Sequence, residues 1–116
     1  MTFTLEKVDG KARVGSFKLR SGIVKTPFFM PVATFATGRG VGPENYHAAN
    51  VQTIISNAFL LSLKPGIDVI KELGGLHKFM GFKGAIFTDS GGFQSSSSKM
   101  FLRASRNGNH FISTFY

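Results

Sequence analysis

Cysteine is absent from all 116 residues, and tryptophan is absent with it. Without a thiol there is no disulfide and no thiolate metal site within the chain, and the redox compartment cannot be read from cysteine usage. Acidic side chains are scarce: six Asp and Glu stand against fourteen Lys and Arg, for a net charge of +8. That balance favours a polyanionic partner, nucleic acid first, through phosphate contacts and counterion release. The cations are spread from Lys7 to Arg106 rather than run together, so an ordinary solvated basic surface accounts for them equally well. No apolar run approaches the roughly 20 residues that span a bilayer. The start MTFTLEKVDGK alternates apolar and charged residues, where a signal peptide would set a basic cluster before an apolar core. A soluble, cytoplasmic protein with no membrane partner is expected.

What the chain has in quantity is apolar material. Hydrophobic residues make up 42%, with 13 Phe, and charged residues only 17%, the balance of a core-forming chain rather than a disordered one. Its length suits one modest domain and leaves no room for two.

Along the chain, Arg13 to Lys25 reads as a hairpin of two short extended pieces broken at Ser21-Gly22. The dense apolar run Phe28 to Ala33 reads as a strand, though Pro31 would remove a ladder hydrogen bond from its middle. Gly38, Gly40 and Gly42 form a loop, and Pro43 opens a helix over Glu44 to Ala49, where its missing donor costs nothing. Val51 to Ser56 is β-branched and apolar, as in a strand buried on both faces, and stops at Asn57. After the Pro65-Gly66 turn, Ile67, Val69, Ile70 and Leu73 make the stripe of the clearest helix, closed by Gly74-Gly75. Leu76 to Met80 adds a helical turn, and Gly84 to Phe87 is a third apolar run ending at Thr88-Asp89.

Strand, helix, strand, helix, strand with short connections predicts right-handed βαβ units and a parallel sheet. The three runs end near Thr34, Asn57 and Asp89, and functional groups of parallel α/β folds gather at such carboxyl ends. The tail departs from this rhythm. A serine tract, Ser95 to Ser98, precedes Lys99 to Ser105 and His110 to Tyr116, which flank Arg106-Asn107-Gly108-Asn109, an Asn-Gly hairpin signal.

Asp89 is the foremost chemical candidate. A carboxylate at a strand end followed by Gly91-Gly92 can be approached closely by a ligand; alternatively Asp89 and Ser90 simply cap the next turn or helix. Phe93 could lie flat under a planar base whose edge Gln94 reads as donor and acceptor, or be one more core Phe. Asn57 either reads a ligand edge or terminates its strand. His47, His77 and His110 have no metal-ligand spacing. Neither a P-loop nor a dinucleotide fingerprint follows Gly38, Gly40 and Gly42.

Four blocks, Thr26-Pro27-Phe28-Phe29-Met30-Pro31-Val32-Ala33-Thr34, Lys64-Pro65-Gly66, Gly74-Gly75-Leu76-His77-Lys78-Phe79-Met80 and Thr88-Asp89-Ser90-Gly91-Gly92-Phe93-Gln94, together resemble the tRNA-guanine transglycosylase family, in the family's order and from about Phe3 to the end. The resemblance implies an α/β fold: an amino-terminal antiparallel hairpin followed by the first three βα units of a TIM (β/α)8 barrel, incomplete, with residues 1–116 forming a single partial domain. It implies replacement of a guanine in tRNA by a 7-deazaguanine derivative, in queuosine or archaeosine biosynthesis, through a covalent bond between an aspartate and the ribose. Its implied partners are tRNA and the 7-deazaguanine base. By position, Asp89 corresponds to the catalytic aspartate of the signature, which serves base recognition and proton transfer. Phe93 corresponds to its stacking aromatic, Ser90, Gly91, Gly92 and Gln94 to the pocket wall, and Asn57 to an asparagine supporting that wall.

Two departures qualify the match. Asn57-Ala58-Phe59-Leu60-Leu61 stands where the family commonly has Asn-Thr-Tyr-His-Leu, a form leaning toward archaeal members, whereas Met30 to Thr34 leans toward bacterial ones. The second catalytic aspartate, expected on a later strand, is missing, and so are the cysteine-rich ligands of the family's zinc. No metal or cofactor is therefore expected in this chain. The expectation is a fragment or split subunit inactive alone, its nucleophile supplied by a companion chain carrying the rest of the barrel; the alternative is a catalytically dead RNA-binding remnant.

Overall fold

The computed structural model describes residues 1–96, 101–105 and 108–111. Its first unit is an antiparallel sheet of β1 (Thr2–Asp9), β2 (Ala12–Leu19) and β3 (Gly22–Lys25), in that spatial order. The expected hairpin is β2–β3, paired from Ser16↔Lys25 to Leu19↔Gly22. β1 extends it, alternating polar and apolar residues from Thr2 to Leu5, with every residue of the strand exposed. Asp9 faces Ala12 across a tight turn in which Gly10 takes φ 58°, the left-handed backbone such hairpins require. A register shift between Leu5 and Lys7 bends the strand.

The second unit is α/β. α1 (Pro43–Ala48) leads to β4 (Thr53–Asn57) and α2 (Ala58–Leu61); a kinked stretch, Ser62–Gly66, leads to α3 (Ile67–Glu72); α4 (Leu76–Met80) precedes β5 (Ala85–Asp89). β4 and β5 pair in parallel from Thr53↔Ala85 to Asn57↔Asp89. The run Phe28 to Ala33 is not the strand expected: it makes a single parallel bridge, Val32↔Ile55. Proline is the reason. Pro31 has no N–H to give, so this segment is held by Ile55 N donating to Pro31 O (3.0 Å), Ala33 N donating to Ile55 O (2.7 Å) and two buried β4 hydroxyls. Thr53 Oγ1 donates to Phe29 O (3.2 Å) and Ser56 Oγ to Ala33 O (2.9 Å). Side chains thus replace part of the ladder, and β4 stays buried on both faces.

Beneath the sheet, Ala33, Tyr46, Ile54, Met80 and Phe82 form the core, flanked by Val41, Val51, Leu76, Phe79 and Ile86. An aromatic series joins the two units: Phe3 to Phe17 (4.9 Å between ring centroids), Phe17 to Phe28 (6.3 Å) and Phe28 to Phe87 on β5 (6.1 Å). Each such contact adds about 0.5–1.5 kcal/mol to the area it buries, and the series fixes β5 against the amino-terminal sheet. After β5, α5 (Gly92–Ser96) is followed by the antiparallel pair β6 (Phe101–Ser105) and β7 (Gly108–Phe111), closest at Ser105↔Gly108. The expected tail hairpin is therefore present in its paired part, while residues 97–100, 106–107 and 112–116 lie outside the described residues. Among the described residues no helix is long and apolar enough to cross a membrane.

Candidate functional site

The strand ends meet as the βαβ order predicts. Asn57 N donates to Thr34 O at 3.5 Å, and Asn57 pairs with Asp89 in the β4–β5 ladder, so the carboxyl ends of three consecutive extended segments are neighbours. This is the end at which β5 turns into α5, carrying Ser90 to Gln94 across it.

Asn57 organises the site. It is only 4% exposed and uses both halves of its amide on the protein. Its Oδ1 accepts from Leu60 N at 2.9 Å, capping α2. Its Nδ2 donates to Asp89 Oδ2 at 3.1 Å and to Gln94 Oε1 at 3.2 Å. Both ideas about Asn57 are thus partly answered: it does terminate β4 and cap the next helix, and it stands behind the other candidate residues rather than presenting an edge of its own.

Asp89 accepts through its other oxygen as well, from Gly91 N at 2.8 Å, the local turn contact typical of aspartate. Its two oxygens are held by two neutral donors from different elements. A carboxylate has about four acceptor positions, so two remain for a ligand. The capping idea and the ligand idea are compatible here, since the turn contact occupies one oxygen only once. Asp89 and Ser90 are exposed. Gly91 is buried with φ 73°, and a Cβ there would collide with Phe59 Cβ and come within 3.1 Å of Asn57 Oδ1. Glycine is required there by backbone and by space together. Gly92 is exposed and begins α5.

Phe93 is 84% exposed and lies outside the core cluster of the described residues. Gln94 is half-buried, its carbonyl oxygen committed to Asn57, and the amide NH2 is what it can offer a ligand. A carboxylate with spare acceptor capacity, an amide donor and an exposed aromatic face on one turn make a combination suited to a planar heterocycle with N–H groups on its edge. The Phe59–Gly91 contact carried no sequence signal, and it was the resemblance, not spacing, that set Asn57 behind the segment holding Gln94, 37 residues away.

No second carboxylate joins Asp89. The other five acidic residues are Glu6 and Asp9 on β1, Glu44 on α1, and Asp68 and Glu72 on α3. Among the described residues no group of three or more His, Cys, Asp or Glu is placed to hold a metal ion.

Comparison with known proteins gives a consistent result. The family model described as queuine tRNA-ribosyltransferase matches residues 9–115. The chain is similar to proteins of that name from Thermotoga neapolitana (52% identical over 94 residues, 81% of this chain and 26% of the relative). It is similar also to those from Hydrogenovibrio crunogenus (45% over 111 residues, 96% and 30%) and Janthinobacterium sp. (42% over 113 residues, 97% and 30%). The chain spans between 26% and 30% of the length of these relatives.

Proposed function

The chain belongs to the queuine tRNA-ribosyltransferase family, and on that premise we propose that its Asp89 turn is the base-recognition part of a tRNA base-exchange centre built on the opening βα units of a (β/α)8 barrel. The observation that carries this reading is the constellation at the strand ends: Asp89 and Gln94 held by one buried asparagine, beside a Phe93 ring turned out of the core. In the proposed reaction a guanine of tRNA leaves and a 7-deazaguanine base enters. Phe93 stacks on the heterocycle, Gln94 donates to its edge, and Asp89 accepts from its ring N–H and moves the proton that base departure and entry require. The relatives carry queuine in their name, which favours a queuosine-type base over an archaeosine-type one.

Bond exchange at the ribose needs a nucleophile, and the five other acidic residues lie on β1, α1 and α3, none of them at the end of a strand of the parallel sheet. We therefore assign that role to an aspartate outside them, on a later strand of the barrel, and hold the chain to be inactive alone. Two features support the assignment. Val32, bridged to Ile55 beside β4, is 64% exposed, and among the described residues the parallel β4–β5 sheet has two strands. The radius of gyration is 17.0 Å, against about 13 Å for a compact domain of this length. The rival reading, a non-catalytic RNA-binding remnant, draws on the net charge of +8.

The test measures exchange of labelled guanine into tRNA by the chain alone and after mixing with the carboxyl-terminal remainder of a full-length relative. Silence alone, exchange in the mixture, and loss of exchange with tRNA binding kept in Asp89→Ala are expected. Exchange by the chain alone would refute its dependence on a second part. Undiminished exchange by Asp89→Ala would refute the site.

A further inference from the structure

A second concave surface lies at the opposite end of β5. A groove of about 530 Å³ is lined by Arg20 and Ser21 from the β2–β3 turn, His77 and Lys78 of α4, and Gly81, Phe82 and Lys83 of the loop entering β5. It adjoins a hollow of about 400 Å³ that shares Arg20, Ser21 and His77 and runs along β5 past Ala85, Ile86 and Phe87 to Thr88. Neither lining includes an Asp or Glu. At about 3.3 Å per residue, Ala85 and Asp89 stand roughly 13 Å apart along the strand, so the cationic groove of this trough lies at the end of β5 away from the Asp89 turn, and only the adjoining hollow reaches Thr88 beside it.

We propose that this trough is a phosphate-binding site for an RNA strand. Three basic side chains, Arg20, Lys78 and Lys83, are drawn from three segments onto one concavity, all of them exposed and with no carboxylate among the lining to neutralise them. Clefts lined by one sign of charge concentrate field lines and counter-ions. Phe82 beneath the groove is buried in the core; the apolar surface on which a ribose or base can rest is that of the half-buried Ile86 and Phe87 in the adjoining hollow, while the phosphate meets the rim.

The frame is also fixed in advance. His77 Nε2 is 3.1 Å from Gly84 O, Lys83 N donates to His47 Nε2 at 3.4 Å, and the His47 ring lies stacked on Phe82, 4° from parallel. These contacts hold the loop that presents Lys83 against α1 and α4. The Lys78 stem rests over Gly74, whose missing Cβ leaves it room. Arg20 and Lys83 are accordingly the principal anchors. Nothing in this reading depends on base exchange, and binding can fail here while the Asp89 site stands.

The experiment uses the 116-residue chain, with Asp89 intact, and a fluorescently labelled single-stranded RNA oligomer, followed by anisotropy across a salt series. A second arm uses guanosine monophosphate, which carries the same phosphate on a free nucleotide. The combined Arg20→Ala, Lys78→Ala, Lys83→Ala variant is compared with an equal-charge control, Lys7→Ala, Lys11→Ala, Arg13→Ala, at the far end of the amino-terminal sheet. Circular dichroism confirms that both fold. The groove variant is expected to weaken RNA binding by roughly tenfold or more at low salt. It should also lower the slope of log affinity against log salt by about 2, at roughly 0.7 per lost phosphate contact on a single strand, with the control changed far less. Groove-dependent binding of the mononucleotide but not of RNA would keep the phosphate site and overturn the RNA strand as its source. Equal losses in both variants, or no binding of either probe, would overturn the proposal.

Discussion

Replacing Asn57 by alanine removes three hydrogen-bond partners with one side chain, and the size of the effect can be assembled from the structure. The cap on α2 is worth about 1 kcal/mol, and its loss leaves Leu60 N, on a buried residue, with no acceptor, which adds part of the roughly 1–3 kcal/mol cost of an unsatisfied buried donor. The bond to Asp89 is to a charged group but an exposed one, so about 1 kcal/mol is appropriate after solvent screening. The bond to Gln94 contributes about 0.5–1 kcal/mol. The expected total is about 3–4 kcal/mol, a urea midpoint lower by about 2 M at an ordinary m-value. A double-mutant cycle with Asp89→Ala isolates the pair and should show coupling of about 1 kcal/mol. Asn57→Asp, which keeps the cap acceptor but turns the Nδ2 donors into an oxygen facing Asp89 and Gln94, should be no more stable than the alanine variant. A loss below about 1 kcal/mol for Asn57→Ala, or additive effects in the cycle, would refute the claim that Asn57 holds the turn together.

Gly91→Ala forces a side chain into left-handed backbone, costing about 1–2 kcal/mol, and against Phe59; destabilisation above that figure and a displaced turn, read by amide chemical shifts, are expected. Phe93→Ala should leave the denaturation midpoint within about 0.5 kcal/mol of the parent because the ring is exposed. The same change should weaken binding of a 7-deazaguanine base by about 1–3 kcal/mol in calorimetric titration of the assembled enzyme, the worth of a lost aromatic stack. Phe82→Ala, at a ring buried between Tyr46 and His47, should cost about 3–5 kcal/mol, and a thermal melt that barely moves would contradict the core assignment.

The parts of the fold that could be read from sequence were those marked by residues with few conformational options. Pro43 opens α1, Gly74-Gly75 closes α3, and the β-branched run before Asn57 is β4. What escaped is equally specific. β1 was hidden because the alternation of its first residues is broken by the shift between Leu5 and Lys7. Phe28 to Ala33 looked like a strand by composition, yet its attachment depends on Thr53 and Ser56, more than 20 residues away. At the site, the strand-end position of Asp89 followed from the rhythm of the chain. That Asn57 reaches Gln94 did not, because α5 folds back over the strand ends only once β4 and β5 are in register.

Register is what converts the order of these segments into a site. Side chains alternate across a strand, so a slip of β5 by one residue would bring Thr88 or Ser90 opposite Asn57 and turn the carboxylate to the other face. The slip is opposed by several contacts at once: Ala85 N donating to Gln52 O at 2.9 Å below, Phe28 stacking on Phe87 midway, and Asn57 bonded to Asp89 above. The Asn57–Asp89 contact of the proposed site is thus also one of the contacts that set the register. A turn held this way needs no loop to close before it takes shape, and it keeps Asp89 bonded on both oxygens to neutral donors while half of its acceptor positions stay open to a ligand.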